Sequence, residues 1–392
     1  VLNVEESIPS GIIVAVLFAT LFLGLLDNQI ISPILIEVAK GLGVGDRVTI
    51  VGNSVSIYAL AAALAGLIIG PLADRRGRVR FLKWATIVFG GAALLSGLAT
   101  GPATFFAARF ATGLAAGAFS AGVIAHAADL FPYAQRGRVM GVIATAYFAA
   151  PILGVPLGTY VAGHAGWRAV FFIFAALSIA IWFAMRRYLF ELLRPPGRQL
   201  LKTRYVDFFR SRSAAAGLAS ALFTSAGMGG FFTYLGAWLG TTFAVRVELI
   251  GIIFFVCGIA SLIGAPLSGA LADRTGKKSI IIFSSFAQAG ILLLLPNVDW
   301  GLLLFVTLGL LGLVASFRVG PLQALATELV HASQRNTYIG LRNAVSQIGI
   351  GLSVFISGKL YGSKGFIGII YFTMAMSVIA GLSVLFITEP DK

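Results

Sequence analysis

Apolar residues run through this chain in blocks of about 20, and polar residues are confined to short intervals between them. Twelve such blocks can be marked, at 12–36, 50–72, 81–99, 103–128, 139–161, 168–187, 214–240, 249–271, 280–296, 301–327, 338–360 and 367–387. An α-helix rises 1.5 Å per residue, so roughly 20 residues cross the hydrocarbon layer of a bilayer. The pattern predicts an all-α integral membrane protein of twelve transmembrane helices. One interval is longer: residues 188–213 carry Pro195-Pro196-Gly197 and then an amphipathic stretch from Leu200 to Phe209, flanked by Arg198 and Arg212. It reads as a cytoplasmic linker lying partly along the membrane surface, between an N-terminal six-helix bundle (1–187) and a C-terminal one (214–392).

The two halves repeat one design. Between the second and third blocks the chain reads Gly70-Pro-Leu-Ala-Asp74-Arg75-Arg-Gly77-Arg78, and between the eighth and ninth Gly269-Ala-Leu-Ala-Asp273-Arg274-Thr-Gly276-Lys277. Asp74 and Asp273 are 199 residues apart, as are Gly77 and Gly276. The same offset relates Gln135-Arg136 to Gln334-Arg335, Asp129 to Glu328, and Gly163 and Gly166 to Gly362 and Gly365, with Trp167 opposite Phe366. Two six-helix units that start on the same side are parallel repeats about an axis along the membrane normal.

Composition agrees. Hydrophobic residues make up 58% and charged residues 11% of the 392 residues, too little polar surface for a chain facing water on all sides. The net charge of +14 comes from cations in short loops rather than from a basic patch with interleaved aromatics, which excludes a nucleic-acid partner. Lys40, Arg47, Arg168, Arg246, Lys359 and Lys364 fall on one set of loops, whereas most other Lys and Arg fall on the opposite set with both termini and the linker. By the positive-inside rule that second side is cytoplasmic, in a cell membrane such as the bacterial inner membrane. Val1–Ser10 lacks the pattern of a cleaved secretory signal. Cys257, the single cysteine, reads as a core residue, so neither a disulfide nor a multi-cysteine metal site is expected.

Three motifs carry a resemblance. The Gly70–Arg78 stretch resembles the signature between helices 2 and 3 of the major facilitator superfamily. Arg109-Phe-Ala-Thr-Gly113-Leu-Ala-Ala-Gly117 resembles the arginine motif of its fourth helix. Pro151-Ile-Leu-Gly154-Val-Pro156-Leu-Gly158 resembles the Gly/Pro motif in helix five of the drug:proton antiporter branch, with Val155-Pro156 where that branch pairs Gly with Pro. The resemblance covers essentially the whole chain. It implies the major facilitator fold, alternating access, no cofactor beyond a proton gradient, and a monomer that takes a small-molecule substrate. In that fold helices 1, 4, 7 and 10 line the central site, which here offers Asn28, Gln29, Ser120, Phe223, Phe231, Phe232, Tyr234, Ser316 and Gln323. Few polar groups among aromatic faces suit an amphipathic organic molecule.

Charges inside the apolar blocks mark the candidate chemistry, because each is costly in hydrocarbon unless it meets a cavity or a partner. Asp27 stands in Leu25-Leu26-Asp27-Asn28-Gln29, and Arg109 lies about six residues from the outer end of the fourth block, roughly 10 Å deep. Both fall in the outer half, so they pair if the first and fourth helices are neighbours, as they are in the resembled fold. Asp27 is then a proton-coupling carboxyl tuned by Arg109; the competing readings are a structural kink at Asp27 and an Arg109 that snorkels to the outer surface. Arg318 lies near mid-membrane and is not the repeat mate of Arg109, since that register places it opposite Phe119. It is either a partner for an anionic or zwitterionic substrate group or a structural residue. Asp74, Arg75, Arg78, Asp273 and Arg274 are expected to form a cytoplasmic latch, with the arginines reaching across the halves. His126 is read as interfacial and His164 and His331 as loop residues. Thr275-Gly276-Lys277-Lys278-Ser279 lacks the upstream glycine of a phosphate loop. No nucleophile–base set or metal cluster appears, so an enzyme is not expected, nor is a channel. The expectation is a secondary transporter that exports a small amphipathic molecule in exchange for protons. The alternative is a proton-independent exchanger or uptake permease for an anionic or zwitterionic metabolite or lipid.

Overall fold

The computed structural model describes residues 10–191, 205–331 and 334–388, which are helical with no strand among them. The first half contains α1 (Ser10–Gln29), α2 (Leu35–Gly41), α3 (Val48–Arg76), α4 (Arg78–Leu98), α5 (Pro102–Leu130), α6 (Tyr133–Ala144), α7 (Ala146–Ala149), a π-helical turn at Ala150–Gly154, α8 (Val155–Ala165) and α9 (Trp167–Tyr188). After the short α10 (Tyr205–Arg210) come α11 (Arg212–Thr242), α12 (Val247–Thr275), α13 (Lys277–Leu294), α14 (Leu302–Ser316), α15 (Val319–Glu328) and α16 (Arg335–Ser383). Among the described residues, eleven segments are long and apolar enough to cross a membrane. The longest, Thr337–Phe386, is two helices joined at a kink, because Gly365 has φ 66° and ψ −164°. Helices are what hydrocarbon demands, since each satisfies its own backbone polar groups. Buried hydroxyls do the same by bonding back along their own helix, as Thr20 does to the Val16 carbonyl at 2.7 Å and Ser178 to that of Phe174 at 2.7 Å.

The 199-residue repeat is a repeat of structure. Gly77 and Gly276 have φ 106° and 89°, and Gly166 and Gly365 have φ 80° and 66°. Each pair holds a left-handed backbone that only glycine adopts without strain, and each turns the chain between two helices. Arg78 donates to Asp129 at 2.8 Å and Lys277 to Glu328 at 2.5 Å, a matched ion pair in each half at the register read from the sequence. These partners correct part of the expected latch: Arg78 bonds Asp129 and the Ala125 carbonyl, both in its own half. Asp273 and Arg274 are exposed, and among the described residues neither has a hydrogen-bonding or ionic partner. The side chains of Asp74 and Arg75, and Gly70, lie outside the described residues. So do residues 200–204 of the predicted amphipathic stretch; α10 buries Phe208 against Tyr338 and exposes Val206 and Phe209.

Small residues set the helix spacing, as expected where lipid replaces the hydrophobic effect between helices. Gly113 and Gly117 put α5 against the α3 backbone; a Cβ at Gly117 would lie 2.8 Å from Ala65 Cβ and 3.0 Å from Ala62 Cα. The spacing of the arginine motif is therefore a packing requirement. Gly117→Val should destabilise the purified protein by about 1–3 kcal/mol through overpacking, read as a lower melting temperature. An unchanged melting temperature would show that α3 and α5 separate without cost.

Candidate substrate and proton site

The helices have a basic end, where the turns at Gly77 and Gly276 lie, and a far end, where α2 and the α11–α12 connection lie. At mid-depth α1 stops at Gln29 and the chain turns irregularly through 30–34 before α2. Pro33 explains the interruption, since it has no amide proton and disfavours helix at the residue before it. Asp27 is in the last turn before this break and is fully buried.

Arg109 of α5, equally buried, donates through Nη1 to Asp27 Oδ2 at 2.6 Å and through Nη2 to the Asp27 carbonyl at 3.5 Å. Its guanidinium lies 4.6 Å from the ring centre of Tyr58 on α3, whose hydroxyl donates to the Gly24 carbonyl at 2.8 Å. The pairing of Asp27 with Arg109 thus forms, and it is neither a kink alone nor a snorkelling arginine. Tyr58 is the member that sequence reasoning missed. Asp27 Oδ1 and Arg109 Nε have no partner among the described residues. Two forces act on the carboxyl: exclusion from water favours its neutral form, and the guanidinium favours its charged form.

The helix-five glycines belong to this site. A Cβ at Gly154 would lie 2.6 Å from Leu26 Cδ1, and one at Gly158 would lie 2.6 Å from Ile30 Cδ1. They bring α8 and the π turn onto α1 on either side of Asp27. The opposite face, at Pro156, meets Gly251 of α12, so this stretch is a contact between the halves.

The second half has a different centre. Helix α14 ends at Ser316 and α15 begins at Val319, so Arg318 stands at a break. Interrupted helices place backbone and side-chain polar groups where a membrane protein binds solutes. Arg318 is buried, and its Nη2 donates to Gln288 Oε1 on α13; Gln288 in turn contacts Met228 Sδ of α11 at 2.6 Å. Arg318 Nε and Nη1 have no partner, and no ion pair to Arg318 occurs among the described residues. Phe89 and Phe119, the repeat mates of Gln288 and Arg318, pack as a tilted pair with ring centres 5.6 Å apart. The repeat therefore sets an aromatic pair in one bundle and a hydrogen-bonded cation in the other, both within their bundles.

The remaining expected lining residues divide. Asn28 and Gln29 are half-buried at the α1 break, and Asn28 Oδ1 has no partner. Phe231 is fully buried in the second bundle against Phe232 and Phe366, a packing residue. Tyr234 is also fully buried, stacked on Tyr361 at 5.4 Å and pressed against Gly52 of the first half, so it closes the far end. Phe223 faces a groove between α11 and the end of α16. Gln323 is exposed on α15 and accepts from Arg342 Nη1 of α16 at 3.1 Å. Arg342, which the sequence pattern does not single out, is in the second turn of α16 and within electrostatic reach of Tyr147 on α7, across the boundary of the halves.

Between α11 and the turn and α2 that follow α1, the described contacts across the halves gather at the far end. The Gly236 amide donates to Ser32 Oγ at 3.3 Å, and Gly240 abuts Ile36. Helices α5 and α15, by contrast, pack on helices of their own halves.

The profile of the Major Facilitator Superfamily matches this sequence twice, over residues 17–296 and 218–392. The chain belongs to the major facilitator superfamily. It is 26% identical to the uncharacterized MFS-type transporter YwfA of Bacillus subtilis, over 90% of this chain and 86% of that protein. It is 28% identical to the purine ribonucleoside efflux pump NepI of Escherichia coli O157:H7, over 63% of this chain and 61% of that one. Among solved structures, the D-xylose–proton symporter superposes with a TM-score of 0.80 at 15% identity, covering 97% of this chain and 98% of its own. A bacterial homologue of the human lysosomal transporter Spinster gives 0.73 at 17% identity, covering 95% of each chain. At those identities the structures show the fold alone; the superfamily match and the relatives named as MFS-type transporters make this chain a membrane transporter rather than an enzyme.

Proposed function

We propose that this major facilitator superfamily member is a proton-coupled exporter of a small amphipathic organic molecule, with Asp27 as the proton site. The observation that carries this reading is the buried Asp27–Arg109 pair, in which one carboxylate oxygen is held by the arginine and the other has no partner. Asp27 ionised ties α1 to α5; Asp27 protonated loses most of that attraction. The carboxyl stands immediately before the 30–34 break that carries Ser32, and Ser32 touches Gly236 of the other half. Loss of the pair therefore alters the segment that closes the far end. With the basic end as the cytoplasmic face, substrate enters from the cytoplasm with Asp27 ionised and leaves at the far end, where Asp27 takes up a proton. The protonated, empty form returns to the cytoplasm-open state and releases the proton there. NepI, named as an efflux pump, supports the direction.

The substrate class follows from the cations. Arg318 has two unpartnered guanidinium nitrogens and no acid beside it among the described residues, and Arg342 is at the boundary of the halves with Gln323 and Tyr147. Guanidinium groups of this kind favour a carboxylate, phosphate or zwitterionic head group over a permanent cation. Arg342→Gln should raise the dissociation constant of such a ligand about tenfold or more. Arg318→Ala should weaken it more than Arg318→Lys. Tight binding of a quaternary ammonium compound, unchanged in Arg318→Ala and in Arg342→Gln, would refute the charge assignment. The coupling itself is tested by proton flux into proteoliposomes. Substrate added to one side should drive proton movement the other way, and substrate flux without any proton flux would leave the exchanger or uptake reading in its place.

A further inference from the structure

Where α4 and α9 meet at the basic end, a cavity of about 480 Å³ is lined by Arg80, Lys83, Trp84, Trp182, Arg186 and Glu191. We propose that this cavity binds the head group of an anionic membrane phospholipid. Three cations face one carboxylate, and that carboxylate is engaged: Glu191 Oε1 accepts the Arg80 backbone amide at 2.5 Å, at the start of α4. Lys83 Nζ spends one proton on the Leu189 carbonyl at 3.2 Å. Arg186 lies with its guanidinium 4.9 Å from the Trp182 ring centre, which leaves its outer N–H groups for an anion. The cavity thus keeps a net positive charge with donors unspent.

Its surroundings select a lipid rather than a free anion. Trp84 is 62% exposed, and one turn deeper along α4 Ile87 is 44% exposed. On α9 Phe183 is 59% exposed beside Trp182. A polar, cationic pocket therefore opens directly onto an apolar outer surface, with two indole rings at the boundary, the place where tryptophan sits in membranes. A head group in the pocket leaves its acyl chains along Ile87 and Phe183. Helices α4 and α9 pack on each other and on first-half neighbours, α4 on α3 and α5, α9 on α1 and α8. The pocket is thus separate from the Asp27 and Arg342 sites. Basic pockets between transmembrane helices on the cytoplasmic side suit anionic head groups, each Lys or Arg contributing roughly a fivefold gain in affinity.

Native mass spectrometry of the full chain in detergent tests this, with dioleoyl phosphatidylglycerol, dioleoyl phosphatidylcholine, glycerophosphoglycerol and inorganic phosphate as probes. Phosphatidylglycerol should bind at least tenfold more tightly than phosphatidylcholine, and neither soluble probe should displace it at equal concentration. Arg186→Gln, an exposed position, should weaken phosphatidylglycerol about fivefold and leave phosphatidylcholine unchanged. Lys83→Gln combined with it should weaken binding further. Arg187→Gln, one residue outside the pocket, should change nothing. Equal binding of the two lipids, displacement by inorganic phosphate, or unchanged phosphatidylglycerol affinity in folded Arg186→Gln would each overturn the proposal.

Discussion

Asp27→Asn should leave the protein folded and able to bind substrate, yet unable to concentrate it against a gradient. Asparagine keeps the volume and can still accept a hydrogen bond from Arg109 Nη1 in place of the 2.6 Å carboxylate contact. It removes the charge whose gain and loss is proposed to bias the two states. Downhill exchange needs only both states to be reachable, so counterflow should persist while the steady-state accumulation ratio falls to unity. The arginine side behaves differently. Arg109→Ala leaves a carboxyl at 0% exposure without its cation, and breaking a buried pair in this way costs about 3–5 kcal/mol. The single variant should therefore express poorly or melt early, and Asp27→Asn placed on top should restore much of the stability. Arg109→Lys should rescue only in part, because an ammonium cannot reach both Asp27 Oδ2 and the Asp27 carbonyl in the fork geometry seen here. If Asp27→Asn still accumulates substrate under a proton gradient, coupling resides elsewhere and the pair is architectural.

What the sequence made legible follows from what membranes penalise. Charges in hydrocarbon are rare, so Asp27 and Arg109 stand out from twelve apolar blocks, and their similar depths, with the helix neighbours that the resemblance implies, pair them. The left-handed turns were equally legible, since Gly77, Gly166, Gly276 and Gly365 recur at one offset and only glycine fits. Gln288 was not: a glutamine in an apolar run costs little, and its role appears only when α13 is placed beside Arg318. Arg342 was hidden by its neighbourhood, because a cation within a few residues of a loop looks like a topology signal until α16 is seen to begin at Arg335. Phe231 and Tyr234 show the limit of reading faces. Helix α11 is apolar on all sides, so residue type alone does not tell the packed face from the open one. The break at Arg318 has its cause in sequence: Pro321, the third residue of α15, has no amide proton to give the Phe317 carbonyl and its ring crowds that oxygen, so α14 stops short of it.

Gly236→Ala should open the far end. The added Cβ would lie 2.7 Å from the Ser32 carbonyl carbon and 2.8 Å from Pro33 Cα. Both are backbone atoms in the turn between α1 and α2, so no side chain can rotate away and α11 must retreat from the first half. The Gly236 amide would then lose Ser32 Oγ as well. Overpacking of this kind costs about 1–3 kcal/mol, and the cost falls only on the state in which α11 and the turn touch. A penalty confined to one state moves the equilibrium towards the other, by about tenfold for each 1.4 kcal/mol. Cysteine labelling reads the shift. With the buried Cys257 changed to alanine, Asn53→Cys places a thiol on α3 beside Gly358, at the Tyr234 contact between the halves. An impermeant maleimide applied from the far side should modify that thiol about tenfold faster or more in Gly236→Ala. Gly91→Ala is the control, since a Cβ there meets nothing within 4 Å. The shift should be accompanied by weaker binding of ligands offered from the basic end, because fewer molecules present that face. If Gly236→Ala and Gly91→Ala label at the same rate in folded protein, the Ser32–Gly236 contact does not hold the far end shut, and the link from Asp27 through the α1 break to the gate fails with it.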